Sequence, residues 1–187
     1  PICFPSPDPC LTFVEIEKHL RMKVLLISPE YPDTYWSFRY ALKFVSKKAA
    51  NPPLGLLTIA SMLPANWEKK VADLNVSPLK EEEVKEADYV LISAMSVQAS
   101  SADQVIETCK RLGTRIIAGG PMFTGNPEAY LHLDHLILNE AEITLPLFLA
   151  DLCAYVGYRT GNEGYLDDAI EYWIQAFPES RSPPVYL

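Results

Sequence analysis

The chain has 187 residues, 49% hydrophobic and 21% charged, with 16 prolines and 8 glycines, which favours one compact domain with appendages and excludes wholesale disorder. With 16 basic against 24 acidic residues the net charge is −8, so the basic footprint of a nucleic-acid binder is missing and no nucleic acid is expected as partner. No apolar run approaches the roughly 20 residues needed to cross a bilayer, the longest, 52–63, being broken by Gly55 and Thr58, so no transmembrane segment is expected.

Residues 1–21 hold four prolines and no signal-peptide pattern, because the apolar stretch 11–16 is short and carries Glu15. They read as a Pro-rich arm. The run Lys23-Val-Leu-Leu-Ile-Ser28, ended by Pro29, then predicts a fully buried first strand. About 24 residues separate it from a helix beginning near Pro53, and they include Tyr31, Tyr35, Trp36, Phe38 and Tyr40. So long a connection near a strand end suggests a ligand or domain contact, or a small helix over 37–48 that packs Phe38, Ala41, Leu42 and Val45.

Four more strand-like runs lie around 70–74, 89–94, 114–118 and 135–139, each separated by helical signals. The alternation predicts an α/β fold, a flavodoxin-like, doubly wound parallel sheet of five strands in the order 2-1-3-4-5 with helices on both faces. One helix is expected to start at Ser101 in a capping box with Gln104, bury Ala102, Val105, Ile106, Cys109 and Leu112, and stop at Gly113. Another is expected from about Leu145, with Pro146 in its first turn and Leu145, Phe148, Leu149 and Leu152 inward. The predicted organisation is an arm over 1–21, an α/β domain over 22–156 and an extension over 157–187. In the extension Ala169, Ile170, Trp173, Ile174 and Phe177 form an apolar stripe after Asp167 and Asp168.

Ligands of such a sheet bind beyond the carboxyl ends of its strands, where the strand order reverses. The loops to inspect are therefore 28–32, 94–101, 119–124 and 139–142. No GxGxxG or GxxxxGK[ST] follows any strand, so a dinucleotide fingerprint or P-loop has no support. His132, Asp134 and His135 precede the fifth strand at the amino edge, where a structural role is expected. The run Glu81-Glu82-Glu83 suits a solvated helix start complementing the macrodipole. Gly119 and Gly120 let a backbone approach a bound group closely, and Ser93, Ser96, Gln98, Ser100 and Ser101 crowd one loop with short neutral hydrogen-bonding groups. Such a loop suits a large amide-rich ligand. Glu140 and Glu142 read as ligand-bonding or capping groups, since neither a nucleophile nor a metal is evident beside them. Four cysteines, Cys3, Cys10, Cys109 and Cys153, lack zinc spacing or disulfide crowding. They suggest a reducing, cytoplasmic setting in which Cys109 and Cys153 are buried and inert.

In combination and order, five segments carry a family likeness: Lys23-Val-Leu-Leu-Ile-Ser-Pro-Glu-Tyr-Pro-Asp-Thr34, Pro52-Pro-Leu-Gly-Leu-Leu57, Ile92-Ser-Ala-Met-Ser-Val-Gln98, Ala118-Gly-Gly-Pro-Met-Phe-Thr124 and Leu138-Asn-Glu-Ala-Glu-Ile-Thr-Leu-Pro146. Over 22–160 the chain resembles the cobalamin-binding domain that precedes the catalytic barrel of cobalamin-dependent radical S-adenosylmethionine enzymes. Trp36-Ser-Phe-Arg-Tyr-Ala-Leu-Lys43 and Asn139-Glu-Ala-Glu142 are similar to segments of the subgroup containing the hopanoid methylases. The resemblance implies a corrinoid that passes a methyl group to an unactivated carbon. It also implies a radical S-adenosylmethionine catalytic domain or chain as partner, with its iron–sulfur cluster held by CxxxCxxC, a motif this chain lacks.

Loop position then assigns Ser28, Glu30 and Tyr31 to the corrin border and Ser93, Met95, Ser96 and Gln98 to one wall. Gly119, Gly120 and Thr124 would admit the ring or its nucleotide tail, and Glu140 and Glu142 would close the rim. Better-known members offer cobalt a histidine from Asp-x-His-x-x-Gly, but here the loop reads Ser28-Pro-Glu-Tyr-Pro-Asp33. Cobalamin without a histidine ligand is the expectation. The rival readings are a cofactor-free scaffold or interaction module, because fold does not guarantee function, and a small hydrolase built on Glu140 or Glu142, which lacks a paired nucleophile.

Overall fold

The computed structural model describes residues 22–33, 42, 44, 46, 47, 49, 52–161 and 163–176. Strands β1 (Lys23–Ser28), β2 (Glu68–Asp73), β3 (Tyr89–Ser93), β4 (Arg115–Gly119) and β5 (His135–Ile137) form one parallel sheet in the order β2-β1-β3-β4-β5. Helices α1 (Leu54–Met62), α2 (Glu81–Glu86), α3 (Ala99–Leu112) and α4 (Pro121–Gly125) follow β1 to β4 in turn, and α5 (Ala141–Thr160) and α6 (Glu163–Ala176) follow β5. This is the flavodoxin-like doubly wound arrangement the sequence predicts. Parallel crossovers are right-handed, so stepping from β1 outward to β2 puts α1 on the face opposite the helices of the later crossovers. The chain divides into two compact units, Arg21–Ala141 with the sheet and a second containing α6 and α5 beyond Ala141.

Side-chain alternation sorts the strands into two faces. Leu25 and Ile27 of β1 lie beside Val90 and Ile92 of β3, which lie beside Ile116 and Ala118 of β4. Onto this apolar row pack Ala102, Val105, Ile106 and Cys109 of α3, Val84 of α2, and Met122 and Phe123 of α4. Val24, Leu26, Leu91 and Ile117, on the other face, are buried as well. Burial on both faces explains why β1 reads as a continuous apolar run. β2 differs from its prediction. It begins at Glu68 and is largely exposed, because it is the sheet edge, where charged residues block further pairing.

Helix α3 stops as predicted at Gly113, whose φ of 74° is the left-handed cap geometry. Its start does not follow the predicted capping box. The helix begins at Ala99, leaving Ser101 in the first turn, where its Oγ accepts the Glu30 N–H at 2.9 Å. All three acids of the Glu81 run sit in the first turn of α2. Glu81 also receives Arg111 of α3 through two bonds of 2.6 and 3.2 Å, and Glu83 pairs with Lys70 at 3.2 Å. At the amino edge Asp134 Oδ2 accepts the Ile116 N–H at 2.8 Å, and Asp88 Oδ2 accepts that of Lys23 at 2.8 Å. Asp134 therefore has the structural role expected of it. His135 lies beside Tyr89, ring centres 6.0 Å apart, and burial lowers its pKa.

In the second unit α5 begins at Ala141, ahead of the predicted start, so Pro146 lies inside the helix rather than in its first turn. Leu145, Leu149, Leu152 and Cys153 are buried, while Phe148 is half-buried. By length and composition alone the stretch Ala141–Arg159 could cross a membrane, with a mean hydropathy of 1.2 and 44% of it buried. Core helices of soluble proteins also meet that description. α6 begins at Glu163, before Asp167 and Asp168, and buries Tyr165 and Ala169 while Ile170 and Ile174 stay exposed. Gly157 brings the two helices together, since a Cβ there would lie 2.8 Å from Leu166 Cδ2. Of the helix expected over 37–48, Leu42 and Phe44 are helical, with Phe44 exposed. Tyr35, Trp36, Phe38, Tyr40, Ala41, Val45, Cys3, Cys10 and Phe177 lie outside the described residues.

Cys109 and Cys153 are buried free thiols, and burial pushes each up to about 12. Both should therefore resist iodoacetamide at pH 8 in the native chain and react in urea, as read by mass spectrometry. A thiol pKa raised by folding stabilises the native state fully below the unfolded value, ~8.5, and progressively less above it. Each thiol should thus lower unfolding stability by up to ~1.4 kcal/mol per pH unit between about pH 9 and pH 12, and Cys109→Ala should flatten its share in urea titrations.

Candidate functional site at the carboxyl edge of the sheet

The strand order reverses at β1, and the loops beyond β1 and β3 border the resulting crevice. The β1–β2 pairing continues one step past the strands, where Leu74 N–H donates to Ser28 O at 3.0 Å. Ser28 itself is buried. The next three residues are held by side chains from distant parts of the chain. Pro29 O accepts from Asn75 Nδ2 at 3.3 Å and also from Gln98 Nε2. Glu30 N–H donates to Ser101 Oγ, and Tyr31 N–H donates to Asn75 Oδ1, both at 2.9 Å. Asn75 is fixed in turn by Asp73 Oδ1, which accepts its Nδ2 at 2.7 Å and its backbone N–H at 3.0 Å, an Asx turn closing the end of β2.

On the β3 side Met95 and Ser96 are exposed and Ser93 is half-buried. Gln98 is only 3% exposed, and its Oε1 accepts the Met95 N–H at 2.8 Å. Both ends of its amide are therefore used inside the protein. The expectation that Gln98 lines a ligand wall gives way to another role, pinning the β3 loop to the β1 loop. The Tyr31 hydroxyl lies 3.5 Å from Met95 Sδ, and with exposed Val97 these side chains make a small apolar patch at the crevice.

Gly119 and Gly120 are at the end of β4, as predicted, but the space they leave is filled by the protein itself. A Cβ on Gly119 would lie 2.9 Å from Ile137 O, and one on Gly120 would lie 3.0 Å from both Ala94 O and Ser93 Oγ. The glycines let the ends of β3, β4 and β5 close on one another, an approach sealed by the bond from Met122 N–H to Ala94 O at 3.0 Å. Thr124 is similarly engaged, its Oγ1 accepting the Asn139 N–H at 2.9 Å. Glu140 is exposed in the loop after β5, whereas Glu142 stands in the first turn of α5, in the second unit. The edge thus gathers Ser28, Glu30, Tyr31, Ser93, Met95, Ser96, Gln98, Gly119, Gly120, Thr124 and Glu140 within the sheet unit.

Sequence reading missed Asn75 and the bond from Ser101 to the β1 loop. An Asn two residues past a strand-ending Asp was the available signal for the first. The second had none, because its partner is 71 residues away.

Chemically, the exposed part of this edge is apolar side chains, hydroxyls and the carboxylates of Glu30 and Glu140. A broad, flat macrocycle with an apolar face and an amide periphery suits such a surface. Among the described residues the histidines, His132 and His135, lie before or at the start of β5 on the amino edge, and no group of three metal-ligating residues occurs. Among the described residues this edge carries no imidazole.

The B12 binding domain family matches residues 44–149, more than half of the chain. The uncharacterized methyltransferase sll1242 of Synechocystis sp. is 43% identical over 133 residues, 70% of this chain and 25% of that protein. The hopanoid C-2 methylase of Rhodopseudomonas palustris (strain TIE-1) is 27% identical over 119 residues, 63% of this chain and 23% of that protein. The chain thus spans about a quarter of the length of these curated relatives. No solved structure matches it significantly.

Gly120 has a φ of 94° as well as backbone against its open side, so Gly120→Ala should destabilise the sheet unit by about 1–3 kcal/mol. Gly125, with nothing within 4 Å of its open side, provides the control. Urea denaturation should show Gly125→Ala near wild type and Gly120→Ala clearly shifted.

Proposed function

The chain belongs to the B12-binding domain family, and on that footing we propose that it holds cobalamin at the carboxyl edge of its sheet in the service of methyl transfer by a radical S-adenosylmethionine enzyme. Bound cobalamin supplies a cobalt centre able to accept and donate a methyl group. The observation that carries the reading is the crevice edge between β1 and β3, where exposed Tyr31 and Met95 stand together and no described histidine is present. Tyr31, Met95 and Val97 offer the ring an apolar face, and Ser96 and Glu140 offer its amide periphery hydrogen-bond partners. Exposed Glu30 borders the ring from the same loop. The β1 loop has no histidine, so its residues would hold bound cobalamin through Tyr31 and would offer the cobalt no imidazole.

The radical chemistry belongs to a partner domain or chain that carries the iron–sulfur cluster and binds S-adenosylmethionine. Both named relatives are methyltransferases, which supports methyl transfer as the common theme. The acceptor is an unactivated carbon. The setting is the cytoplasm, where free thiols such as Cys109 and Cys153 stay reduced.

The test is spectroscopic. Chain incubated with hydroxocobalamin and then desalted should retain corrinoid absorbance in near-stoichiometric amount. Cobinamide, which lacks the nucleotide base, should bind too, and its reduced Co(II) form should show no nitrogen splitting in electron spin resonance. Loss of all corrinoid at micromolar protein would replace the reading with a cofactor-free scaffold. Nitrogen splitting on bound cobinamide would show a protein imidazole on cobalt and overturn the histidine-free lower face.

A further inference from the structure

We propose that Asn75, Gln98 and Ser101 are positioning residues that clamp the backbone of the β1 loop and thereby present the side chains of Glu30 and Tyr31 to the ligand. The inference rests on the cobalamin reading of the same edge. A loop beyond a strand end normally leaves its backbone groups to water or to a bound molecule. Here three successive groups, Pro29 C=O, Glu30 N–H and Tyr31 N–H, are each bonded to a side chain 44 to 71 residues away. The grips come from two sides, Asn75 from the β2 end and Gln98 with Ser101 from the β3 end.

The clamps are themselves fixed. Asp73 holds Asn75, and Gln98 is buried with its other amide atom bonded to Met95 N–H. Because the backbone of the loop is already bonded within the protein, contact with a ligand falls to the exposed Glu30 and Tyr31 side chains. A loop held in this way needs no ordering when the ligand arrives, and that lost freedom would otherwise weaken binding.

The experiment combines a readout on the ligand-free full chain with one on the loaded chain. Ser101→Ala removes the acceptor for Glu30 N–H, Ser101→Thr keeps it, and Asn75→Ala removes the acceptor for Tyr31 N–H. Amide hydrogen exchange reports loop opening separately from global unfolding, and absorbance titration with cobinamide reports affinity. Exchange at Glu30 should rise at least about tenfold in Ser101→Ala while amides of β1, β3 and β4 keep wild-type protection. Cobinamide affinity should fall on the order of tenfold, and Ser101→Thr should restore both. Asn75→Ala should do the same at Tyr31, so failure of either variant to fold leaves the other as the test.

Unprotected Glu30 and Tyr31 amides in the wild type would overturn the clamp. So would variants that loosen the loop and bind cobinamide at wild-type affinity. Protected amides that Ser101→Ala exposes, in a wild type that binds no cobinamide, would leave the clamp standing and remove the cobalamin reading instead.

Discussion

Strand β1 is hydrogen-bonded along its length to β2 on one side and β3 on the other, and the positions of the candidate residues in the β1 and β3 loops follow from that double pairing. A strand paired on both sides of a parallel sheet is buried on both faces, which is why Lys23 alone in β1 is exposed. The same pairing forces the first crossover onto the face opposite the later ones and opens a crevice beyond Ser28. Apolar burial in β1 and the position of the site are thus consequences of one topological fact.

Past the strand ends the ladder of backbone bonds stops and side chains take over its work. Asn75, Gln98 and Ser101 tie the β1 loop to its neighbours, Thr124 ties the β4 loop to Asn139, and Asp88 and Asp134 do the corresponding work at the amino edge. Buried backbone groups need partners, and residues with short polar side chains provide them without adding bulk. Much of the Ser, Asn and Gln content of these loops is therefore explained by the protein's own backbone. What remains free to meet a ligand is a smaller and more apolar set, centred on Tyr31, Met95 and Val97.

The fold was legible in the sequence because its signals are local. Three runs of buried β-branched and leucine residues, the αL glycine at position 113 and the apolar stripe of α3 each report on their own neighbourhood. The edge strand β2 was less legible, since its residues reflect exposure as much as strand formation. The first residues of α3 were misread for a related reason: Ser101 looks like a cap, but its hydroxyl is engaged by Glu30 from another loop. The site was legible as a place and not as a set of roles. Gln98, Gly119 and Gly120 sit where the loops predict, yet their atoms are turned to partners that only the assembled sheet brings near.

The family match begins at residue 44, beyond β1 and its loop. It accordingly speaks for the β3 and β4 rims, whereas the β1 rim must be argued from its own chemistry. The sequence of that rim from Ser28 to Asp33 consists of serine, proline, glutamate, tyrosine and aspartate, with no histidine. Its backbone is tied to Asn75, Gln98 and Ser101, so side chains from beyond β2 and β3 set the course of the loop. The bonds that hold the loop also fix which of its side chains are exposed: Glu30 and Tyr31 face solvent, whereas Ser28 is buried.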